Sequence, residues 1–253
     1  MRQFNYRATI AYDGFDFFGF QRQYGLPTVQ VAVEDAIWEG LGIRASVYGS
    51  SRTDKGVHAL GQVISFSIDQ DLHPLGMKSM ISAYLPSTIT LKNLERAPYG
   101  FIARFAQRTK SYAYIVYTGK NPTPMINRFS MVYPDKRFDF DKLTDAFKRF
   151  EGKHDFKCFG KASKESANKD PVCTVLEADT MQKGDYAVML VKGDRFLHNM
   201  VRRMAGFALL CSVGKEDPNV LESIFEGNMR ASAGMLSPAQ GLYLVCVDYL
   251  ENT

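Results

Sequence analysis

Apolar and polar residues alternate along the first hundred positions in a way that predicts strands and helices in the order β-α-β-β-α-β. The predicted strands share a two-residue period of apolar positions, and they are Tyr6–Tyr12, Ala45–Tyr48, Gln62–Ile68 and Thr88–Arg96. One helix is predicted after Thr28 and a second at Pro74–Tyr84. This order is that of the ferredoxin-like unit.

The helix after Thr28 has both a start and a stop signal. Thr28 is a favourable N-cap residue, and Gly42 is a favourable residue just beyond the last turn. The apolar residues between them recur at helical spacing and are Val29, Val33, Ala36, Ile37 and Leu41.

The second part of the chain repeats the same order. The predicted elements are a strand at Ser111–Tyr117, a helix at Asp141–Phe150, strands at Thr174–Met181 and Tyr186–Val191, a helix from Phe196 to about Val213, a short helix near Pro218–Glu226, and a strand at Leu242–Leu250. The turn between the two middle strands is built on Gly184. The chain is therefore expected to form two similar α+β halves, residues 1–100 and 101–253, with one fused sheet and a cleft between them.

Composition limits the function classes. The 253 residues are 45% hydrophobic, and the longest apolar stretch, Met204–Val213, is too short to span a bilayer. No signal peptide is predicted, and the four cysteines are scattered, which is typical of a reduced, cytosolic protein. The four histidines form no i, i+4 pair, so no zinc site is expected. A net charge of +4 is compatible with a polyanionic partner without indicating one.

The most unusual segment is Ser50–Ala59, which lies between two predicted strands and is too long and too charged for a tight hairpin. It brings Arg52, Asp54 and Gly56 close together at the end of a strand, where functional residues are common. Gly56 is expected to adopt a positive φ and turn the backbone sharply behind Asp54. The alternative is a solvated turn with a local pair between Arg52 and Asp54.

Three further segments are candidates for chemistry. Arg202 lies among apolar residues at the start of a helix, where a charge needs an anionic partner, unless its stem runs along the helix to solvent. Tyr112 lies on a predicted strand, where packing is the ordinary role of a tyrosine. Lys153–Lys169 is rich in lysine and is either a phosphate-binding loop or a merely solvated one.

Taken together, these segments resemble the TruA family of tRNA pseudouridine synthases along almost the whole chain. The segment Arg52–Ala59, followed by Gly61-Gln62-Val63, is very similar to the family's catalytic motif R-T-D-x-G-V-H-A-x-G-Q-V. The other matching motifs occur in the expected order and are Tyr12-Asp13-Gly14, Phe18-Gly19-Phe20-Gln21, Thr28-Val29-Gln30, Leu85-Pro86, Ala103-Arg104-Phe105, Tyr112-Ala113-Tyr114, His154-Asp155-Phe156, Phe196-Leu197 with Met200-Val201-Arg202, and Pro238–Leu244.

The resemblance implies an α+β fold of two ferredoxin-like βαββαβ halves. They would form one continuous antiparallel sheet with helices on one face and a central active-site cleft. It also implies a cytoplasmic homodimer that uses no metal or cofactor. The expected reaction is isomerisation of uridine to pseudouridine at positions 38–40 of the tRNA anticodon stem-loop.

The same resemblance implies roles for individual residues. Asp54 would be the catalytic carboxylate, acting as a nucleophile or as the base in an elimination. Arg202 would pair with Asp54 and keep it ionised, and Tyr112 would stack on the flipped uracil and accept or relay the C5 proton. Residues implied in substrate binding are Arg52, which would contact the RNA backbone and fill the space left by the flipped base, Leu242 in the apolar wall of the pocket, Gln21 and His58.

Three positions depart from the family pattern. Ser51 stands where the family usually has Gly, Phe20 replaces the usual Trp, and Ile102 replaces a common His. None removes a catalytic group, but all lie where RNA is positioned, so a related enzyme acting on ribosomal or another RNA is an alternative. A non-catalytic RNA-binding module is a second one, although the sequence lacks the aromatic motif of RNA recognition motifs.

Overall fold

The predicted strands and helices occur in the predicted order, with four short elements among them that the hydrophobic pattern did not predict. The computed structural model describes residues 3–161, 170–227 and 236–249. Its strands and helices are, in chain order, β1 (Phe4–Tyr12), α1 (Val29–Leu41), β2 (Tyr48–Gly49), β3 (His58–Ile68), α2 (Pro74–Ser82), β4 (Ile89–Arg96), α3 (Ala103–Ala106), β5 (Gln107–Tyr117), α4 (Pro124–Phe129), β6 (Met131–Val132), α5 (Phe140–Lys148), β7 (Gly152–Asp155), β8 (Val172–Lys183), β9 (Tyr186–Gly193), α6 (Met200–Ser212), α7 (Val220–Phe225) and β10 (Leu242–Tyr249). The chain divides into two compact units, residues 1–108 with 243–253, and residues 109–242.

The first unit has the predicted β-α-β-β-α-β order. Its sheet runs β4-β1-β3-β10, and β2 also pairs with β3. β1 is antiparallel to both β3 and β4, whereas β10 is parallel to β3 through Tyr243–His58 and Leu244–Ala59. The order of the first four strands, 4-1-3-2, is that of a ferredoxin-like sheet.

Helix α1 shows that local signals set its ends as predicted. Thr28 is the N-cap, and its hydroxyl accepts a hydrogen bond from the Val31 N–H. Gly42 follows the last turn in a left-handed conformation, and its N–H donates to the Trp38 carbonyl. The predicted cap and stop are both confirmed.

The second unit contains β5, α5, β8, β9 and α6 in the predicted order. Its sheet runs β5-β9-β8-β7 with antiparallel neighbours, and the short β6 pairs in parallel with β5. Gly184, at φ +57°, makes the turn that joins β8 to β9, as expected. Aromatic side chains that are almost completely buried fill its core: Phe147, Phe150, Phe156, Phe159 and Phe207. The α+β class and the mostly antiparallel pairing are thus confirmed within each unit.

Several boundaries differ from prediction. β2 covers Tyr48–Gly49 rather than Ala45–Tyr48, and β5 begins at Gln107 rather than Ser111. Two other differences have identifiable reasons. β3 begins at His58 rather than Gln62, because Ala59 already pairs with Tyr12 and Leu244 on neighbouring strands. α6 begins at Met200 rather than Phe196, because Asn199 has a left-handed backbone that a helix cannot continue through. Within the described part of the chain, no helix is long and apolar enough to cross a bilayer.

Candidate functional site

Asp54 lies on the loop between β2 and β3 in the first unit. Its side chain is half-buried, whereas Arg52 is exposed and Thr53 is buried. Among the described residues Arg52 has no ion-pair partner, so the local pair between Arg52 and Asp54 considered as an alternative is not formed. The loop therefore presents two exposed cations, Arg52 and Lys55, beside a partly sheltered carboxylate.

The residues just before Arg52 are fixed by Gln62, a fully buried side chain on β3. Its Oε1 accepts hydrogen bonds from the Ser50 hydroxyl at 2.7 Å and from the Ser51 N–H at 3.3 Å. Its Nε2 donates to the Ser51 carbonyl at 2.7 Å. A buried amide whose oxygen and nitrogen both bond to one segment holds that segment in a single register.

Thr53 and Asp54 are fixed in turn by the end of β1 and the residues that follow it. The Thr53 hydroxyl is hydrogen-bonded to the buried Tyr12 hydroxyl at 2.8 Å. The Phe20 N–H donates to the Thr53 carbonyl at 3.1 Å, and the Val57 N–H donates to the Asp54 carbonyl at 3.1 Å. The backbone is thus anchored on both sides of the Asp54 carboxylate.

Two glycines allow this close packing. Gly56 has φ +80°, which confirms the sharp turn predicted behind Asp54. Gly19 has φ +90°, and a β-carbon there would lie 2.6 Å from the Thr53 carbonyl oxygen. Gly19 is therefore required for the loop after β1 to lie against the Asp54 loop.

His58 is a buried residue at the first position of β3, with 1% of its surface exposed. Its Nδ1 accepts a hydrogen bond from the Gly14 N–H at 3.1 Å and lies 3.2 Å from Oδ1 of Asp13. Its ring stacks on Tyr243 of β10 with the centroids 4.7 Å apart. Burial, followed by the nearby Asp13 carboxylate, raises the pKa of the Tyr243 phenol. His58 ties the end of β1 to β3 and β10.

The loop after β1 also carries exposed polar residues. Gln21 is exposed, and its Nε2 donates to Oε1 of Gln30 on α1 at 2.8 Å. The Lys55 ammonium lies 3.8 Å from the centroid of the Phe18 ring. The exposed amide of Gln21 is thus held against α1, and the exposed Lys55 is held against the loop after β1.

In the second unit, Arg202 lies in the first turn of α6. Its Nε donates to the Ser237 carbonyl at 2.8 Å, and its Nη1 donates to Oδ1 of Asn199 at 3.3 Å. Ser237 lies next to Pro238, whose carbonyl accepts a hydrogen bond from the Tyr114 hydroxyl at 2.7 Å. Because two donors of the planar guanidinium are fixed, its orientation is fixed as well.

Tyr112 and Tyr114 on β5 are both buried. Tyr112 packs edge-to-face against Phe196, with ring centroids 5.2 Å apart. Burial raises the pKa of the Tyr114 phenol, so this side chain stays neutral and acts as a hydrogen-bond donor. Leu242 is the first residue of β10 and is also buried.

Two of the three departures from the family pattern are accommodated by packing. Phe20 is buried, and its ring lies against Gly49 so closely that no β-carbon fits there. Ser51 is buried, with both of its backbone polar groups bonded to Gln62. Ile102 precedes α3 and is half-buried.

Sequence reasoning missed Gln62 and Asn199 as residues that hold the candidate groups. The only available signal for Gln62 was its place in the Gly61-Gln62-Val63 motif, and Asn199 stands at a position that the matching motif leaves open.

Of the basic segment Lys153–Lys169, residues 162–169 lie outside the described residues. Over residues 3–161, 170–227 and 236–249, no group of three His, Cys, Asp or Glu side chains is arranged to hold a metal ion.

Comparison with known proteins gives one consistent result. The model of a family described as tRNA pseudouridine synthase matches residues 8–105 and 146–250. A tRNA pseudouridine synthase A 2 from Bacillus anthracis is 34% identical over 246 residues, covering 97% of this chain and 99% of the relative. A tRNA pseudouridine synthase A from Anaplasma marginale (strain Florida) is 36% identical over 248 residues, covering 96% and 99%. A chain in a crystal structure of a Cbf5-Nop10-Gar1 complex is a remote neighbour, with a TM-score of 0.37 and 13% identity over 81% of this chain and 45% of that chain.

Proposed function

Because the chain belongs to the tRNA pseudouridine synthase family, we propose that it converts uridine to pseudouridine in tRNA, at positions 38–40 of the anticodon stem-loop. The observation that carries the proposal is the Arg52–His58 motif on a loop whose backbone is fixed on both sides of Asp54. A carboxylate held in one position needs little reorganisation when its substrate arrives.

The reaction breaks the N1–C1′ bond of uridine, turns the uracil and joins its C5 to C1′, while a proton leaves C5 and one is gained at N1. Asp54 starts the reaction in this proposal, either by attacking C1′ or by removing a ribose proton so that the base leaves. Its half-buried position supports either role, because the carboxylate is sheltered from bulk water and still reachable by a flipped nucleotide.

Arg202 supplies a positive charge that attracts and orients the reacting carboxylate in this proposal. The fixed orientation of its guanidinium supports that role. Tyr112 stacks on the uracil and accepts or relays the C5 proton. Leu242, which is buried at the start of β10, lines the apolar wall of the uracil pocket.

The remaining site residues bind RNA in this proposal. Arg52, exposed beside Asp54, contacts the RNA backbone and fills the space of the flipped base. Gln21 and Lys55, which are both exposed, contribute polar and salt-sensitive contacts. His58 supports substrate binding through the loops that it joins, because its own ring is buried.

We further propose that the enzyme works without metal or cofactor as a cytoplasmic homodimer, and that residues 1–100 and 101–253 are its two ferredoxin-like halves. The family membership and the β-α-β-β-α-β order of the first unit support this organisation. Sedimentation of the purified protein measures its oligomeric state directly.

The catalytic role of Asp54 is tested by tritium release from tRNA carrying 5-tritiated uridine. We expect Asp54→Asn to lower the rate at least about a thousandfold, because an amide is neither a nucleophile nor a base here. The exposed Asp69 on the β3–α2 connection offers a matched control, and Asp69→Asn is expected to retain wild-type rate and Tm. Turnover by a folded Asp54→Asn enzyme would remove this carboxylate from the mechanism.

The target is tested by mapping pseudouridine in total RNA from cells with and without the gene. Loss of pseudouridine at tRNA positions 38–40 is the expected result. Loss confined to ribosomal RNA would identify the enzyme as a relative with another substrate. Tight tRNA binding without any isomerisation would indicate an RNA-binding module instead.

A further inference from the structure

We propose that Asn199 is a positioning residue that orients the guanidinium of Arg202, an inference that rests on the proposed role of Arg202. Oδ1 of Asn199 accepts a hydrogen bond from Nη1 of Arg202 at 3.3 Å. The two residues are three positions apart, at the N-cap and in the first turn of α6. Three features of Asn199 indicate that this contact is the reason for its position.

The first feature is the backbone of Asn199, which has φ 67° and ψ 1°. Over the described residues it is the one non-glycine position with a positive φ. A left-handed conformation is unfavourable for a residue with a β-carbon, although Asn tolerates it better than most. Glycine would adopt it without cost, so the side chain of Asn199 must serve a purpose that glycine cannot.

The second feature is the absence of helix capping by this side chain. An N-cap Asn ordinarily accepts a hydrogen bond from a backbone N–H of the first turn. Thr28 does this for α1 and Asp139 for α5, whereas Asn199 makes no such bond to α6. Its amide oxygen is directed to Arg202 instead.

The third feature is the way in which Asn199 complements a second anchor. The Ser237 carbonyl accepts from Nε of Arg202 at 2.8 Å, and Asn199 accepts from Nη1. Because these two acceptors bond to different nitrogens of the guanidinium, together they define its plane. The direction of Nη2 then follows from the planar geometry of the group.

If Arg202 acts on the reacting carboxylate, a poorly oriented guanidinium slows the chemical step and leaves tRNA binding unchanged. Loss of Asn199 should therefore lower kcat with little change in KM. A residue that merely stabilised α6 would change Tm and leave the kcat of the folded enzyme as it was. These two outcomes separate positioning from structural support.

The test compares Asn199→Gly with Asn199→Ala in the full-length enzyme, using tritium release from tRNA. Both variants lose the amide oxygen, so both should show kcat reduced about tenfold, as expected for one hydrogen bond to a charged group. They differ in backbone cost, because glycine accepts φ 67° and alanine does not. We expect Tm of the Gly variant to equal or exceed that of the wild type, and Tm of the Ala variant to fall by several degrees.

Asn219 supplies a matched control in the same unit. It is the N-cap residue of α7, and its Oδ1 accepts from Nη1 of Arg149 at 3.1 Å, but its φ is −68°. Asn219→Gly thus removes the same kind of contact at a surface site. We expect its kcat to be that of the wild type.

Unchanged kcat in both Asn199 variants would overturn the inference, as would an equal loss in the Asn219→Gly control. A rise in KM at constant kcat would also overturn it, because Arg202 would then be binding tRNA. Wild-type turnover is measured first. Its absence would overturn the proposed function together with the inference, whereas normal turnover with unaffected Asn199 variants overturns the inference alone.

Discussion

The Asp54 loop of the first unit and the Arg202 turn of the second unit are both fixed by hydrogen bonds, but through different residues. In the first, hydrogen bonds with the uncharged side chain of Gln62 fix the segment just before Asp54. In the second, the guanidinium of Arg202 itself donates to two uncharged acceptors. In the Asp54 loop the left-handed backbone falls on Gly56, where it costs little. At the start of α6 it falls on Asn199, where it is unfavourable.

The two regions differ in whether the contacts that position the charged residue also stabilise the fold. The buried bonds of Gln62 stabilise the fold and position the Asp54 loop at the same time, so losing them should harm both. In our proposal the Asn199 contact positions Arg202 at the expense of backbone strain, so losing it in Asn199→Gly should harm activity alone. The following predictions test how far this contrast extends.

The largest expected effect is a difference in thiol reactivity, and it concerns Cys211, which lies on the same helix as Arg202. Burial raises the pKa of Cys211, near the other end of the helix, to about 12. Because burial disfavours the thiolate, at pH 8 its population should be roughly a thousandfold below that of an exposed thiol. Ellman's reagent should therefore modify the half-exposed Cys158 quickly and Cys211 only on unfolding. Rapid labelling of Cys211 in the native protein would mean that all of α6 opens.

The next effect is the stability carried by Gln62. Gln62→Leu removes the hydrogen bonds that Gln62 makes to the Ser50 hydroxyl and to the Ser51 N–H and carbonyl. We expect the free energy of unfolding to fall by about 3 kcal/mol, as is typical of the loss of several buried hydrogen bonds. Urea denaturation measures this loss, and Gln70→Leu at an exposed loop position is the control. A loss below about 1 kcal/mol would show that the loop is not held by this side chain.

The smallest expected effect is that of Tyr114→Phe, which removes the hydroxyl bonded to the Pro238 carbonyl. Leaving that carbonyl unpaired should lower the free energy of unfolding by about 1.5 kcal/mol. Tyr12→Phe removes the equivalent buried bond to Thr53 in the other region and is the natural comparison. We expect similar losses of stability for both in urea denaturation. A neutral Tyr114→Phe would show that the segment at Ser237 is held by other contacts.

Local signals in the sequence were sufficient for much of the fold. Thr28 and Gly42 mark the ends of α1, and Gly184 marks the turn between β8 and β9, because capping and turn formation depend on a few adjacent residues. The start of α6 could not be predicted in this way. Helical periodicity continues through Asn199, and the left-handed backbone there coincides with a contact to Arg202 that the periodicity does not reveal.

The candidate site was predictable in its charged residues but not in the groups that hold them. Asp54 and Arg202 stand out because a charge among strands or apolar residues needs an explanation. Gln62 does not stand out, because its importance comes from bonds to Ser50 and Ser51, which are 12 and 11 positions away. Such pairings depend on the register between β2 and β3, which a single sequence specifies only weakly.

The parallel pairing of β10 with β3 has a consequence for synthesis on the ribosome. One edge of β3 is covered by β2 near Ser65 and Ile64, and by β10 at His58 and Ala59. Until β10 has been synthesised, a nascent chain therefore has the beginning of β3, immediately after the Asp54 loop, with open backbone groups on that edge. The loop reaches its finished surroundings only after β10 has joined the sheet, so strands that lie far apart in the sequence must pair before the loop is complete.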